Sequence, residues 1–301
     1  MKLLQQKCKF LITGATGFIG KRLIAELLQN NNGDNHQIFA LTRQKNLKSD
    51  HKNLQYINDF ADLEFDFDII INLAGAPISV NWNAKNRQEI YESRINTTKK
   101  IVEKILATKT PPKLFISGSA IGFYGTSEAT IFSENSSPTT QNLFSQNLCK
   151  AWESEAQKVG DSTRLVLLRT AVVVGQGGGI IKKLTPPFKM GLGGNIGDGK
   201  QIMSWVHIDD VIGILDLIIN NTTIKGAINL ASPNPCSNSE FSRVLAKKFN
   251  RPCIFHMPKF AVKTIFGQMG EELLLSSQKI APQKAIENGY DFKFVNIAEA
   301  I

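Results

Sequence analysis

The amino-acid sequence predicts an α/β fold, in which a doubly wound parallel sheet with helices on both faces is joined to a smaller C-terminal lobe. Short β-rich runs alternate with longer helical patterns through the first hundred residues, which is typical of a parallel sheet with crossover helices. The run from Asp68 to Leu73 is nearly all apolar, as expected of a strand that helices cover on both faces. Beyond Gly175 the chain becomes rich in glycine and proline, which indicates a change of architecture.

The first half of the chain predicts five strands and two helices. In the first helix Ile19, Leu23 and Leu27 recur at helical spacing, and a polar loop at residues 30–35 follows it. The predicted strands are Lys9–Thr13, Gln37–Leu41, Leu54–Ile57, Asp68–Leu73 and Leu114–Ile116, and the predicted helices are Phe18–Gln29 and Lys85–Lys109. Two prolines follow the second helix and end it, because proline lacks the N–H group that a helix interior needs.

The second half completes the sheet and supplies the smaller lobe. A helix from Phe144 to Val159 and a strand from Arg164 to Leu168 bring the sheet to six or seven strands. Residues 175–199 are too rich in glycine and proline for the core and are predicted as loop. A helix from Asp209 to Ile219 and a strand from Ala227 to Leu230 return to the sheet. We therefore expect residues 1–174 and 204–232 to form the sheet domain, and residues 175–203 and 233–301 to form the lobe.

The composition of the 301 residues is that of an ordinary globular protein, with 42% hydrophobic residues. The net charge of +9 is spread evenly without a long basic run, so we do not expect nucleic-acid binding. No stretch approaches the roughly 18 apolar residues of a membrane span, and we expect no membrane association. Four cysteines without CxxC spacing fit free thiols in the cytoplasm. Four scattered histidines predict no metal site.

A glycine-rich turn lies between the first predicted strand and the first predicted helix. It reads Gly14-Ala15-Thr16-Gly17-Phe18-Ile19-Gly20. In such a turn the first glycine permits the tight bend, the second lets the backbone approach a pyrophosphate, and the third allows close packing of helix and strand. The helix N-terminus then offers N–H groups and a partial positive charge to the anion. The strand, turn and helix together predict dinucleotide binding.

The end of the second strand indicates which dinucleotide is bound. Enzymes that prefer NAD usually carry an acidic residue there, which bonds the ribose hydroxyls. Here the strand ends with Leu41-Thr42-Arg43. Because a guanidinium can pair with the 2′-phosphate, Arg43 favours NADP over NAD. The alternative is that Arg43 is an exposed loop cation.

Motifs along the whole chain carry a family resemblance. They are Asn72–Gly75, Ala76–Ser79 with Trp82, Ser93–Arg94, Ser117–Ala120, Gly122–Gly125, Trp152–Glu153, Pro187–Phe188 before Gly191–Gly194, Ser204–Asp210, and Glu271, Leu275–Ser276 and Ala281–Pro282. With these motifs the chain resembles the extended short-chain dehydrogenase/reductase superfamily. Within it the chain looks like the epimerase-like subgroup, NAD-dependent epimerase/dehydratase-like, which has a small C-terminal module.

The resemblance implies a Rossmann-type fold that binds NADP across residues 14–20, 42–43 and 73–75. Strand five and the segment from Arg169 to Val172 would face the nicotinamide, and the lobe would close over a small-molecule substrate, with nucleotide sugars among the candidates. A homodimer is also compatible with the resemblance. The implied cofactor-binding residues are Gly14, Thr16, Gly17, Phe18, Ile19, Gly20, Thr42, Arg43, Leu73, Ala74, Gly75, Ser117, Arg169 and Val172.

The chain departs from the superfamily's proton-transfer residues. Members with hydride chemistry use a Ser, a Tyr and a Lys, the last two in a YxxxK arrangement, in which the Tyr exchanges a proton with the substrate. Ser119 matches the Ser and Lys150 matches the Lys, but Gln146 stands in the place of the Tyr. An amide neither gives nor accepts a proton near neutral pH. The candidate catalytic residues are therefore Ser119, Lys150 and, as a substitute phenol, Tyr124.

Three further residues have more than one interpretation. Tyr124 is either the proton donor or an aromatic of the core or of a cofactor stack. His207, close to Asp209, is either a general acid/base or the cap of the following helix. Arg94 stands where ordinary members tend to carry an Asn.

Two functions remain open from the sequence. The first is an NADP-dependent oxidoreductase or epimerase that acts on a hydroxyl or carbonyl without the usual tyrosine. The second is a non-catalytic NADP-binding protein, for redox sensing or assembly. Hydrolase and kinase functions have no support, since neither GxSxG nor a Walker A lysine occurs.

Overall fold

The computed structural model describes residues 7–29, 36–60 and 63–301, so the loop predicted at residues 30–35 lies outside the described residues. The strands within these ranges are β1 Cys8–Thr13, β2 His36–Leu41, β3 Leu54–Ile57, β4 Ile69–Asn72, β5 Leu114–Ala120, β6 Ile131–Phe132, β7 Arg164–Thr170, β8 Val172–Val174, β9 Gly194–Ile196, β10 Ile202–Met203, β11 Trp205–His207, β12 Gly226–Leu230, β13 Cys236–Ser237, β14 Phe255–Met257 and β15 Lys279–Ile280. The helices are α1 Phe18–Gln29, α2 Ala84–Ala107, α3 Phe144–Gln157, α4 Gly179–Lys189, α5 Ile208–Asn220, α6 Asn238–Lys248, α7 Lys259–Leu273, α8 Gln283–Glu287 and α9 Ile297–Ala300.

Seven of the strands form the central parallel sheet. Their order is β12-β7-β5-β4-β1-β2-β3. From β1 the chain first adds strands on one side, and from β4 it adds them on the other, so the order reverses between β1 and β4. In open α/β sheets, ligands bind in the crevice at the carboxyl ends of the two strands where this reversal occurs. The prediction of a doubly wound parallel sheet is confirmed, with the upper of the two predicted strand numbers.

The core lies on both faces of this sheet. Along β1, Phe10 and Ile12 belong to a cluster shared with α1 and α5, whereas Leu11 belongs to a cluster shared with α2. All three side chains have no exposed surface. Successive side chains of a strand point to opposite faces, so a strand with helices on both sides must be apolar throughout. This explains the continuous apolar runs of β1 and β4.

The prediction of a loop at residues 175–199 is wrong in part. Residues Gly179–Lys189 form α4, which contains Pro186 and Pro187. Ile181 and Phe188 of this helix are buried in a cluster with Trp205 and Phe241. The packing of this apolar face outweighs the two intrahelical hydrogen bonds that the prolines cannot donate.

The C-terminal residues are attached to the sheet domain by buried polar contacts. Asp210 of α5 accepts hydrogen bonds from the Tyr290 hydroxyl at 2.9 Å, from the Lys293 amide at 2.8 Å and from the Phe294 amide at 3.1 Å. In addition, β15 of the lobe pairs with β6, whereas the pairing of β14 with β9 lies within the lobe. Between residues 175–203 and 233–301, α5 packs on the sheet and β12 joins it beside β7.

Candidate functional site

The glycine turn after β1 has the geometry that a bound phosphate requires. Gly14 has φ +66°, and a Cβ there would lie 2.3 Å from the Leu73 carbonyl oxygen. A Cβ on Gly20 would lie 2.4 Å from the Gly14 oxygen, so both positions require glycine. A Cβ on Gly17 would meet a single atom within 4 Å, the Gly14 oxygen at 3.1 Å. The space in front of Gly17 is therefore open, and it lies at the N-terminus of α1, where helix N–H groups lack intrahelical acceptors.

A chain of buried hydrogen bonds fixes the carboxyl ends of β1 and β4. The Thr13 hydroxyl donates to Asn72 Oδ1 at 2.6 Å and accepts from the Ala74 amide at 3.1 Å. Asn72 Nδ2 donates to the Thr98 hydroxyl at 2.8 Å, and the Trp152 indole donates to the same hydroxyl at 2.9 Å. The segment from Leu73 to Gly75, where a nucleotide is expected, is thus held by two strands and by α2 and α3.

The residues after β2 present a cation at the surface. Thr42 is buried, and its hydroxyl accepts a hydrogen bond from the Gln44 amide at 3.1 Å. The Arg43 side chain is 79% exposed, and its Nη1 lies 3.5 Å from Glu89 Oε1, which is also exposed. A pair of this kind is weak. The Arg43 guanidinium is therefore available to a phosphate. Its exposure equally fits the alternative that Arg43 is an ordinary loop cation.

Phe18 opens α1 and is covered by the glycine-rich loop after β8. A Cβ on Gly178 would lie 2.0 Å from the Phe18 ring, and Gly179 has φ +59°. The loop can approach the phosphate turn closely because these positions lack side chains.

Two more of the predicted cofactor residues lie on strands. Val172 is the first residue of β8, and Ser117 is fully buried within β5.

Ser119 belongs to a buried polar network that crosses from α3 to β12. Its hydroxyl donates to Glu153 Oε1 at 2.7 Å. Arg169 forms two hydrogen bonds with the same carboxylate, both of 2.9 Å, and its Nη1 donates to the Tyr124 hydroxyl at 3.0 Å. The Tyr124 hydroxyl in turn donates to Asn229 Oδ1 at 2.8 Å. Arg169 therefore directs its guanidinium toward Glu153 and Tyr124.

Tyr124 has the surroundings of a core aromatic. The side chain has no exposed surface, and its ring stacks on Phe132 with centroids 5.2 Å apart. Burial, as the largest cause, raises the pKa of its hydroxyl above the usual value. A proton-donating role for Tyr124 stays a prediction, and its complete burial does not support it.

The residues in place of YxxxK differ sharply in their surroundings. Gln146 is fully buried, and its Nε2 donates to the Thr139 carbonyl at 3.0 Å. The amide thereby holds the loop before α3 in place. One turn later Lys150 is partly exposed, and no hydrogen bond or ion pair holds its ammonium within the described part of the chain. Gln146 and Lys150 lie one turn apart on α3, as the spacing predicts. The Lys150 ammonium has no partner among the described residues, so its donors are available for a contact with a ribose.

The chain matches two family models. The first, the NAD dependent epimerase/dehydratase family, covers residues 10–231. The second, the domain of unknown function DUF1731, covers residues 257–301. The chain belongs to the NAD-dependent epimerase/dehydratase family.

Relatives of this family member match along nearly the whole chain. The chloroplastic SDR39U1 homolog of Arabidopsis thaliana is 35% identical over 96% of this chain and 84% of its own length. The human epimerase family protein SDR39U1 is 32% identical over 97% of this chain and 98% of its own. A crystal structure of the human protein with NADPH superimposes with a TM-score of 0.87, at 31% identity and 97% coverage of both chains. A nucleoside-diphosphate sugar epimerase from Corynebacterium glutamicum gives a TM-score of 0.75 at 28% identity, over 98% of this chain and 57% of that one.

The epimerase-family helix α3 is capped by a residue that the sequence did not single out. Its N-cap residue, Leu143, provides no side-chain acceptor. Instead the buried Glu272 of α7 accepts from the Phe144 amide at 3.1 Å, the Ser145 amide at 2.9 Å and the Ser145 hydroxyl at 2.6 Å. A carboxylate at this position also interacts favourably with the helix dipole. Thus the C-terminal module secures the helix that carries Lys150.

His207 caps α5, so the capping interpretation is confirmed. Its Nδ1 accepts a hydrogen bond from the Asp209 amide at 3.2 Å, and its ring lies 3.8 Å from that of Phe294. Burial lowers the pKa of the imidazole below its usual value, which favours the neutral form that can accept this bond.

An open cavity of about 510 Å³ lies between α1, α5 and the C-terminal segment, but none of the predicted site residues lines it. No group of three metal-binding side chains occurs among residues 7–29, 36–60 and 63–301. No helix in these ranges is long and apolar enough to cross a membrane.

Proposed function

We propose that this chain binds NADP(H) in the crevice at the carboxyl ends of β1 and β4. The observation that carries the proposal is the open position in front of Gly17, at the N-terminus of α1. The human relative, which was crystallised with NADPH, supports the choice of cofactor. Residues 14–20 would hold the pyrophosphate, Thr42 and Arg43 the ribose 2′-phosphate, and residues 73–75 the adenosine ribose.

At the nicotinamide end, the proposed residues Ser117, Arg169 and Val172 would shape the pocket. Ser117 and Arg169 are buried, so they would form its wall instead of extending into it. The proposed reaction is that of an NADP-dependent oxidoreductase or epimerase on a hydroxyl or carbonyl of a small molecule, with nucleotide sugars as the first class to test. The nicotinamide would accept or supply the hydride. Ser119 would orient the reacting oxygen, and Lys150 would bind the nicotinamide ribose.

The lobe formed by residues 175–203 and 233–301 would cover the substrate. A contact between α4 and the loop after β4 supports this arrangement, because Lys183 Nζ donates to the Ser79 carbonyl at 3.3 Å and to its hydroxyl. We also propose a cytoplasmic location, which the four free cysteines support. The chain is further proposed to form a homodimer.

A second candidate function is NADP binding without catalysis. The buried polar side chains favour it, because the Ser119 hydroxyl donates a hydrogen bond to Glu153 and the Gln146 amide donates one to the Thr139 carbonyl. Neither side chain therefore presents a proton to a substrate in this arrangement. Loss of a positioned acid typically costs about 10²–10⁴ in rate.

A substrate panel decides between the two functions. Nucleotide sugars and simple carbonyl compounds are incubated with the protein and NADP(H), and both nicotinamide absorbance and epimer formation are measured. We expect slow turnover that Ser119→Ala and Lys150→Met reduce at least about tenfold, whereas Lys158→Met, beyond the far end of α3, leaves it unchanged. Turnover that neither substitution alters would contradict the assigned roles.

The variant Gln146→Tyr restores the family pattern on the same helix. We expect it to raise turnover, because the new phenol is one turn from Lys150, although the loss of the bond to Thr139 lowers stability. No turnover by any variant, with NADPH still bound, would favour the non-catalytic function.

A further inference from the structure

Arg87 and Arg94 occupy equivalent positions two turns apart on α2. A separation of seven residues places both on the same face of the helix. Each guanidinium lies over an aromatic ring of α3. The Cζ atom of Arg87 is 5.2 Å from the centre of the Phe144 ring, and that of Arg94 is 5.3 Å from the centre of the Trp152 ring. The two arginines thus provide an internal comparison.

The protein uses the donors of Arg87 but leaves most of those of Arg94 unused. Arg87 Nε donates to the Trp82 carbonyl at 2.9 Å, and its Nη2 donates to Gln268. Arg94 Nη1 donates to the Ile90 carbonyl at 3.0 Å. Within the described residues no acceptor binds Arg94 Nε or Nη2, and no carboxylate pairs with this guanidinium. Burial lowers the pKa of Arg94, as expected of a cation without an opposite charge beside it.

Two glycines near the carboxyl ends of the central strands make room for the Arg94–Trp152 pair. A Cβ on Gly75 would lie 2.8 Å from Arg94 Cζ and 2.9 Å from its Nη2. A Cβ on Gly118 would lie 2.7 Å from the Trp152 ring. Gly75 follows β4, so the guanidinium lies beside the carboxyl end of this strand, while the Trp152 ring lies against Gly118 of β5. The carboxyl end of β4 borders the crevice to which the proposed function assigns the cofactor.

We propose that Arg94 is an anion-binding residue of this crevice, which takes phosphate or carboxylate oxygens on Nε and Nη2. The inference rests on the proposed function for the location of the ligands. The Arg94 guanidinium is partly exposed at this position, with two donors that no protein group uses among the described residues, and its planar fork matches two oxygens of one anion. The anion is either the pyrophosphate of the cofactor or an acidic group of a second ligand.

The test follows the Nε–H resonance of Arg94 in ¹⁵N-arginine-labelled protein, assigned with Arg94→Lys. Inorganic phosphate is titrated onto the free protein and onto the NADPH complex, and NADPH affinity is measured by calorimetry. Thermal melts establish that each variant is folded. Arg87→Met is the matched control. It also removes a stacked arginine from this face of α2, but the Nε and Nη2 donors of Arg87 already bind protein acceptors.

If the cofactor supplies the anion, NADPH shifts the Arg94 resonance, and Arg94→Met weakens NADPH binding at least about tenfold, with Arg94→Lys between the two. If a second ligand supplies it, NADPH affinity is unchanged, and phosphate shifts the resonance saturably on the NADPH complex. Arg87→Met leaves both affinities within about twofold. The proposal is overturned if neither ligand shifts the resonance. Failure of the wild type to bind NADPH would contradict the proposed function, while phosphate binding to the free protein would still test Arg94.

Discussion

Two arginines that the sequence assigned to the cofactor have very different surroundings. Arg43 is exposed, and its nearest acid, Glu89, forms only a weak pair with it. Arg169 is buried and forms two hydrogen bonds with Glu153. The positions of Arg43 and Arg169 near the ends of strands could be predicted from the sequence. The direction of the Arg169 side chain could not, because its partner lies 16 residues away on another element.

Arg43 leads to a prediction about cofactor preference. We expect NADPH to bind more tightly than NADH, and Arg43→Ala to remove most of this preference, since a charge-assisted contact to the 2′-phosphate is worth about 1.5–3 kcal/mol. Fluorescence titration with both dinucleotides measures the effect. Glu89→Gln is the matched control and should preserve or slightly increase the preference, because it frees Arg43. Equal affinities of the wild type for NADPH and NADH would disprove the assignment.

The site residues around Ser119 show the same limit of sequence reasoning. Ser119 could be placed from its motif at the end of β5, and Lys150 from its spacing on α3. Glu153 was visible as part of a motif, but its bond to Ser119 spans 34 residues and carries no periodic signal. The resulting hydrogen bond decides the chemistry available to Ser119, since it determines where its proton points.

At the scale of elements, periodic patterns predicted the seven strands of the sheet and the helices α1, α2, α3 and α5 to within a few residues. They failed at α4, where Pro186 and Pro187 indicated a loop. Helix formation there depends on burying Ile181 and Phe188 against residues from β11 and α6. Tertiary packing of this kind has no local signal, so a local reading of the prolines gave the wrong element.

The cap on α3 leads to a prediction about the C-terminal module. Glu272→Gln should lower the free energy of unfolding by about 1–2 kcal/mol, because an amide accepts the helix N–H groups without the charge that complements the helix dipole. Urea denaturation measures this change. Glu271→Gln is the control, since Glu271 is exposed and pairs with Lys263. Equal losses in the two variants would show that the cap contributes nothing.

At the scale of the whole molecule, the parallel sheet and its two layers of helices follow from the alternation of patterns along the chain. The strand order does not, since it depends on the crossover from β3 to β4 on the opposite side of β1. That crossover brings Leu73 against Gly14 and places the crevice beside the phosphate turn. The lobe is fastened by contacts that span long stretches of sequence, such as those of Asp210 with Tyr290 and Phe294.

Binding of NADP(H) by the turn at residues 14–20 can be measured as the gain in melting temperature on adding NADPH. Saturation at 100 times the dissociation constant stabilises a protein by about 2.7 kcal/mol. We predict this gain for the wild type and for Gln29→Val, which adds a valine at the far, exposed end of α1. For Gly17→Val we predict a folded protein without the gain, because the side chain enters the space of the pyrophosphate. A gain in Gly17→Val equal to that of the wild type would show that the pyrophosphate does not bind at this turn.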